Sequence, residues 1–96
     1  MNADQVKKFL FDLGVDLCGI ASVDRFNDPP EGFHPCDVFP ACKSVVVFAK
    51  KFPVATLHCK TTVPYTIARN MLSDMLDKIA VQCCIDLEQH DIAAVP

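Results

Sequence analysis

The spacing of apolar and polar residues predicts a helix at the start of the chain, over residues 3–13. The apolar residues that share one face of this helix are Val6, Phe9, Leu10 and Leu13. Asn2 followed three residues later by Gln5 is typical of an N-cap with its capping-box partner. Gly14 suits the left-handed position that ends a helix.

Short apolar runs bounded by turn-forming residues predict strands. The first run, VDLCGIASV, covers residues 15–23, and the second, KSVVVFAKKF, covers residues 43–52. Residues 45–49 are uniformly apolar, which predicts a strand covered on both faces. Gly19 indicates a place where another backbone or a ligand comes close. A third strand is predicted over residues 92–95.

The longest periodic pattern predicts a second helix over residues 65–89. Its apolar stripe consists of Ala68, Met71, Leu72, Met75, Leu76, Ile79, Ala80, Cys83 and Leu87. Leu76 lies in the middle of the stripe, so we expect it to be buried against the sheet. Pro64 suits the first turn of the helix, and Thr61 or Thr62 is a candidate N-cap.

The segments between these elements are rich in turn-forming residues. Residues 24–42 contain several prolines and predict a loop without helix or central strand, and a second loop runs from Pro53 to Pro64. The predicted fold is therefore α+β: a small three-stranded sheet with two helices, in the order helix-strand-strand-helix-strand. Because the last strand ends at Pro96 and leaves sheet surface uncovered, residues 1–96 are expected to be one domain or the N-terminal subdomain of a larger fold.

Composition and charge narrow the class of protein. The 96 residues allow one small domain, and the formal net charge of −3 argues against nucleic-acid binding. No apolar run reaches the roughly 20 residues of a membrane span, and the N-terminus does not have the pattern of a signal peptide. We therefore expect a cytoplasmic protein that does not bind membranes. In that compartment its six cysteines would be reduced thiols.

Several segments together resemble a known family. They are DLCGIASVDRF, PPEGFHPCDVFPACKSVVVFAKKFP, YTIARN, LDKIA and DLEQHDIAAVP. This order resembles the N-terminal region of epoxyqueuosine reductase-like iron–sulfur proteins, and the resemblance covers essentially the whole chain. It implies a cytoplasmic oxidoreductase whose 4Fe-4S clusters are held further along, in a section with CxxCxxCxxxCP ligands. It also implies a cobalamin held against the N-terminal region.

The cluster spacing of that family does not occur in this sequence. Cys36 and Cys42 are separated by five residues, and Cys83 directly precedes Cys84. We therefore expect no cofactor in this chain by itself and no activity from it alone. The resemblance then implies a cofactor- or substrate-facing subdomain that lacks the cluster-binding part. The alternative is a non-catalytic module that binds itself or a second polypeptide through an open sheet edge.

The stretch HPCDVFPACKS is the first candidate site. His34, Cys36 and Cys42, together with His58 or Cys59, offer a nitrogen and sulfur set for tetrahedral zinc. These spacings match no common zinc module. The alternatives are a redox thiol pair and a structural loop that leads into the second strand, and the structural loop is preferred.

The second candidate site lies at the start of the long helix. Tyr65 and Arg69 are spaced i, i+4, so they share a helix face, and Asn70 follows. A helix N-terminus attracts anions, and an arginine adds donors for phosphate or carboxylate. The residues are candidates for cofactor binding, with a solvated arginine as the alternative. His90 is expected to cap the C-terminus of this helix.

Overall fold

A computed structural model describes residues 1–96. Two strands and three helices follow one another along the chain, with short 3-10 turns at Val23–Arg25 and Val54–His58. The regular elements are α1 (Ala3–Asp12), β1 (Leu17–Ser22), α2 (Pro35–Val38), β2 (Ser44–Ala49) and α3 (Val63–Glu88). The architecture is α+β, but the predicted three-stranded sheet with two helices is wrong. The sheet has two strands, and the chain has a third helix.

Helix α1 follows its predicted start and end closely. The Asn2 side chain accepts from the Gln5 amide at 2.9 Å, and the Gln5 side chain accepts from the Asn2 amide at 2.9 Å. This is the predicted capping box. At the other end Gly14 has a φ of 104°, and the Val15 amide donates to the Leu10 carbonyl at 3.3 Å. This left-handed termination turns the chain back, so that Val15 and Leu10 are both buried.

A similar left-handed termination at the end of α3 explains why the predicted third strand does not form. Asp91 has a φ of 61°, and its amide donates to the Glu88 carbonyl at 3.0 Å. The Ile92 amide donates to the Leu87 carbonyl at 3.0 Å. The Ile92 amide thus belongs to the C-terminal cap of α3. Ile92 and Ala94 then pack on the core, and residues 92–95 do not join the sheet.

The core lies where these two helix ends meet. The buried side chains are Val6, Leu10, Val15, Cys83 and Leu87. Leu10 is fully buried, with 0% exposure. Five buried residues of 96 make a small core, because only one end of the long helix takes part in it.

Strands β1 and β2 form an antiparallel pair with Cys18 opposite Phe48 and Ile20 opposite Val46. These four side chains point to one face, which packs against the core. We call it the inner sheet face. On the opposite face Leu17, Val47 and Ala49 are exposed, so the prediction that residues 45–49 are covered on both sides is wrong.

Helix α3 is 26 residues long, and it is buried mainly near its C-terminal end. Cys83 and Leu87 are buried, whereas Leu76 is only half-buried and is absent from the core cluster. The expectation that Leu76 is buried against the sheet is therefore wrong. Pro64 lies in the first turn as predicted, and Thr62 occupies the N-cap position without a side-chain bond to the helix.

The proline-rich segment 24–42 contains a short helix that the sequence pattern did not predict. The His34 ring accepts from the Cys36 amide at 3.0 Å, and Asp37 accepts from the His34 amide at 3.0 Å. Pro35 takes the first helical position, where its missing N–H costs nothing. A reciprocal cap and a proline together start one turn of helix, α2, within a segment predicted to be loop.

The chain is more extended than a compact domain of its size. Its radius of gyration is 15.8 Å, against about 12.5 Å for a compact domain of this length. The accessible surface is 7157 Å², against about 5,500 Å² for a folded monomer of this mass. The excess is roughly 1,700 Å². No helix has both the length and the apolar character needed to cross a membrane.

Candidate functional site

The proposed metal-binding side chains of the first loop make contacts with the backbone. The His34 ring accepts from the Cys36 amide, and it lies edge-to-face with Phe26 at a centroid distance of 6.4 Å. The Cys36 thiol is 3.5 Å from the Cys42 carbonyl, and the Cys42 thiol is 3.3 Å from the Ser44 carbonyl. The three side chains therefore close the loop on itself and lead it into β2.

The other proposed zinc ligands lie in the second loop. His58 ends the 3-10 turn, and the exposed Cys59 thiol is 3.6 Å from the Ala55 carbonyl. No three histidine, cysteine or acidic side chains come together in an arrangement that could hold a metal ion. The zinc hypothesis thus gains no geometric support, and the structural-loop alternative accounts for the contacts observed.

The three candidates on α3 divide between two sides of the helix. Tyr65 and Arg69 share one side, whereas Asn70 lies about 140° around the helix from Tyr65. The Tyr65 ring packs against Phe52, with centroids 5.2 Å apart and planes tilted by 33°. Arg69 is exposed and has no carboxylate partner, since the single ion pair of the chain joins Lys8 and Asp12. Arg69 is therefore free to bind an anion.

His90 lies where a helix cap is expected. Its Nδ1 is 2.9 Å from the Asp86 carbonyl, and its ring meets Phe9 edge-to-face at 6.4 Å. The contact satisfies a terminal carbonyl of α3, and the ring joins α3 to α1. The predicted capping role is confirmed.

The adjacent thiols of α3 are poor nucleophiles. Burial raises the pKa of the Cys83 thiol, and the neighbouring Cys84 and Asp86 raise it further. Burial also raises the pKa of Cys84, with a smaller contribution from Glu88. Because the thiolate is the reactive form, both groups are suited to packing rather than to catalysis.

Uncovered sheet surface was expected from the sequence, and the structure shows two exposed apolar surfaces. The first is the outer sheet face, formed by Leu17, Gly19, Ala21, Val45, Val47 and Ala49. Leu17 is 70% exposed and Val47 is 62% exposed. Every residue on this face is apolar, although a sheet face that meets water is normally polar. A Cβ added at Gly19 would meet no atom within 4 Å, so no group of this chain makes the predicted close approach.

The second surface runs along the N-terminal half of α3 and is called the α3 ridge. It consists of Val63, Ile67, Met71 and Met75, at steps of four residues. Residues at this spacing form a continuous ridge on a helix surface. All four are exposed. The same four-residue row continues through Ile79 to the buried Cys83 and Leu87, so one row of α3 is exposed in its N-terminal half and packed in its C-terminal half. The four-residue spacing was the signal that could have shown it.

Comparisons with known proteins identify no relative of this chain. No protein-family model, no curated protein and no solved structure matches the chain. The resemblance to epoxyqueuosine reductase-like proteins therefore rests on the quoted segments alone.

Proposed function

We propose that this chain is an interaction subdomain, which works with its uncovered apolar surfaces packed against further protein. The observation that carries this proposal is the exposed surface of 7157 Å², roughly 1,700 Å² above the value for a folded monomer. A standard interface covers about 800 Å² on each partner. The excess is therefore large enough to accommodate a full interface, and the outer sheet face and the α3 ridge supply its apolar centre.

The proposal is tested by dye binding at protein concentrations where the chain is monomeric. Under those conditions the uncovered surfaces should bind 8-anilinonaphthalene-1-sulfonate and raise its fluorescence. Val47→Lys should lower the signal because it places a charge on the outer sheet face. Ser73→Lys, at an exposed polar position of α3, is the matched control and should leave it unchanged. A folded monomer that does not bind the dye would contradict the proposal.

The free edges of the sheet offer a second route to association. Each strand of the two-stranded sheet has one unpaired edge, where a strand of another chain could add. Proline substitution tests this route, since proline removes a backbone donor. The amides of neighbouring β2 residues point alternately to β1 and to the free edge, so one of Val45→Pro and Val46→Pro removes a bond to β1 and the other removes a donor of the free edge. If the variant that keeps the bonds to β1 stays folded but associates less than the parent, the free edge is used.

A more specific candidate is the N-terminal cofactor- or substrate-facing subdomain of an epoxyqueuosine reductase-like iron–sulfur oxidoreductase. The quoted sequence segments support it, and so does the exposed, unpaired Arg69 beside Tyr65. In such an oxidoreductase the iron–sulfur clusters would be bound by a different part of the protein, and this chain would supply a surface that binds the cofactor or substrate. An arginine fork fits the phosphodiester of a cobalamin, as it fits any phosphate.

Equilibrium dialysis with hydroxocobalamin tests the specific candidate. The chain should retain the corrinoid, and Arg69→Ala should weaken the binding. Lys78→Ala removes an exposed cation about two and a half turns further along α3 and serves as the control. Equal retention by the parent and by Arg69→Ala would exclude Arg69 as a cofactor ligand, and no retention by the parent would count against the cofactor-facing role.

A further inference from the structure

Cys36 and Cys42 contact each other within the proline-rich segment 24–42. The Cys36 thiol donates to the backbone carbonyl of Cys42, and its sulfur lies 3.5 Å from that oxygen. The carbonyl oxygen of a residue is only about 3 Å from the Cβ of the same residue. The sulfur of one cysteine therefore already lies beside the residue that carries the other.

Two successive turns of the backbone hold these residues together. The Phe39 amide donates to the Pro35 carbonyl at 3.0 Å, which closes the single turn of α2. The Cys42 amide then donates to the Phe39 carbonyl at 2.9 Å. Because both turns are closed by backbone hydrogen bonds, the approach of the two cysteines does not depend on their thiols.

Neither thiol is tied to its present position. Both cysteines are half-buried, so solvent reaches each of them. The Cys42 thiol donates to the Ser44 carbonyl, with 3.3 Å between sulfur and oxygen, and such thiol hydrogen bonds are weak. A change from one staggered rotamer to the next moves a cysteine sulfur by about 3 Å and leaves the backbone in place.

We propose that Cys36 and Cys42 form a reversible redox pair, which small disulfide compounds convert into an intrachain disulfide. The thiolate of one cysteine attacks a sulfur of the small disulfide, whose S–S bond breaks and releases one small thiol. The thiolate of the other cysteine then attacks the first cysteine's sulfur, and the second small thiol leaves. The protein loses two electrons and two protons, and the small disulfide gains them. The pair is independent of the proposed interaction role.

Formation of the disulfide changes the free edge of β2. The Lys43 carbonyl accepts from the Val23 amide at 3.0 Å, so it points toward the β1 side of the sheet. The carbonyl of the next residue, Ser44, therefore points away from β1 to the free edge. In the reduced protein the Cys42 thiol donates to this carbonyl. A disulfide sulfur has no hydrogen to donate, so oxidation opens the Ser44 carbonyl to another donor.

Equilibration with mixtures of reduced and oxidised glutathione tests the pair. The reaction is quenched with acid, the remaining thiols are alkylated, and the protein is digested with trypsin. Cleavage after Arg25 and Lys43 releases residues 26–43, which contain Cys36 and Cys42 and no other cysteine. In mass spectrometry an internal disulfide makes this peptide lighter by two hydrogen atoms, whereas a mixed disulfide adds a glutathione.

The folded loop should favour the disulfide over what the short chain segment alone would give. Its equilibrium constant against glutathione should be at least about tenfold larger in the native protein than in urea, because the two turns raise the effective concentration of one thiol at the other. A native constant equal to or below that in urea would overturn the pair. Glutathione adducts as the only products in the native protein would overturn it too.

Cys59 is the competing partner, because its thiol is exposed. Cys59→Ser should leave the native constant of the 26–43 disulfide unchanged, and serine is close enough in size to cysteine to leave the exposed position undisturbed. Cys36→Ser should leave Cys42 with a glutathione adduct as its oxidised form. A parent protein in which Cys42 is linked to Cys59 would overturn the pair.

Discussion

The two faces of the sheet are built from similar side chains, yet one is covered and the other is open. Phe48 and Ile20 on the inner face pack against the core, whereas Val47 and Leu17 on the outer face remain exposed. Nothing in the local pattern of residues 45–49 distinguishes the faces, because every residue there is apolar. The difference arises from the two helix ends, which bring Leu10 and Leu87 to one side only.

The largest effect should come from the covered side. Leu10 is fully buried at the centre of the core, so Leu10→Ala should lower the free energy of unfolding by about 2–5 kcal/mol through lost transfer energy and a residual cavity. Leu17→Ala, on the outer face, is the control and should change it by less than about 0.5 kcal/mol in the monomer. Urea denaturation measures both. Equal losses at the two positions would mean that the outer face is covered.

A smaller effect is expected at the boundary between covered and uncovered parts of α3. Leu76 is half-buried, so Leu76→Ala should cost about 1 kcal/mol, below the range for a fully buried leucine. Leu87→Ala, at a buried position of the same helix, is the comparison and should cost more. A loss at Leu76 equal to that at Leu87 would place the middle of α3 in a core.

The N-cap of α1 should contribute to the free energy of unfolding, because α1 covers the inner sheet face. Asn2→Ala removes the acceptor for the Gln5 amide and should cost about 1 kcal/mol in urea denaturation. Asn2→Ser keeps a good N-cap and should behave almost like the parent. If alanine and serine at this position give the same stability, the capping box contributes nothing to the cover of the inner face.

The smallest effect is expected for the chemical reactivity of a buried and an exposed cysteine. Cys83 lies in the core with a raised pKa, whereas Cys59 is exposed in the second loop. Iodoacetamide should therefore modify most of Cys59 before any Cys83, since the thiolate attacks and burial restricts access. Mass spectrometry of the digested protein gives the order. In urea the two should react at similar rates, and an early reaction of Cys83 in the native protein would contradict its burial.

Part of the candidate site could be predicted from the sequence. The i, i+4 spacing placed Tyr65 and Arg69 on one side of a helix, and the structure agrees. The packing of Tyr65 on Phe52 could not be predicted, because Phe52 follows a different element and the contact depends on the path of the second loop. The cap that His34 provides to α2 was also missed, since histidine is an unusual N-cap.

The sequence by itself determined the elements whose signals are local. The capping box at Asn2, the left-handed Gly14 and the apolar periodicity of α3 each depend on residues within a turn or two of one another. Their start and end points were therefore predicted to within about two residues. The strands β1 and β2 were found for the same reason.

Only the tertiary structure decided which surfaces are covered and where the chain goes after α3. Asp91 adopts a left-handed conformation that is less common for a residue with a side chain, and the resulting cap directs Ile92 into the core and away from the sheet. The free energy of covering an apolar face depends on contacts with distant elements, which no local pattern contains. The outer sheet face and the α3 ridge are open because both helices pack on the inner side of a sheet only two strands wide.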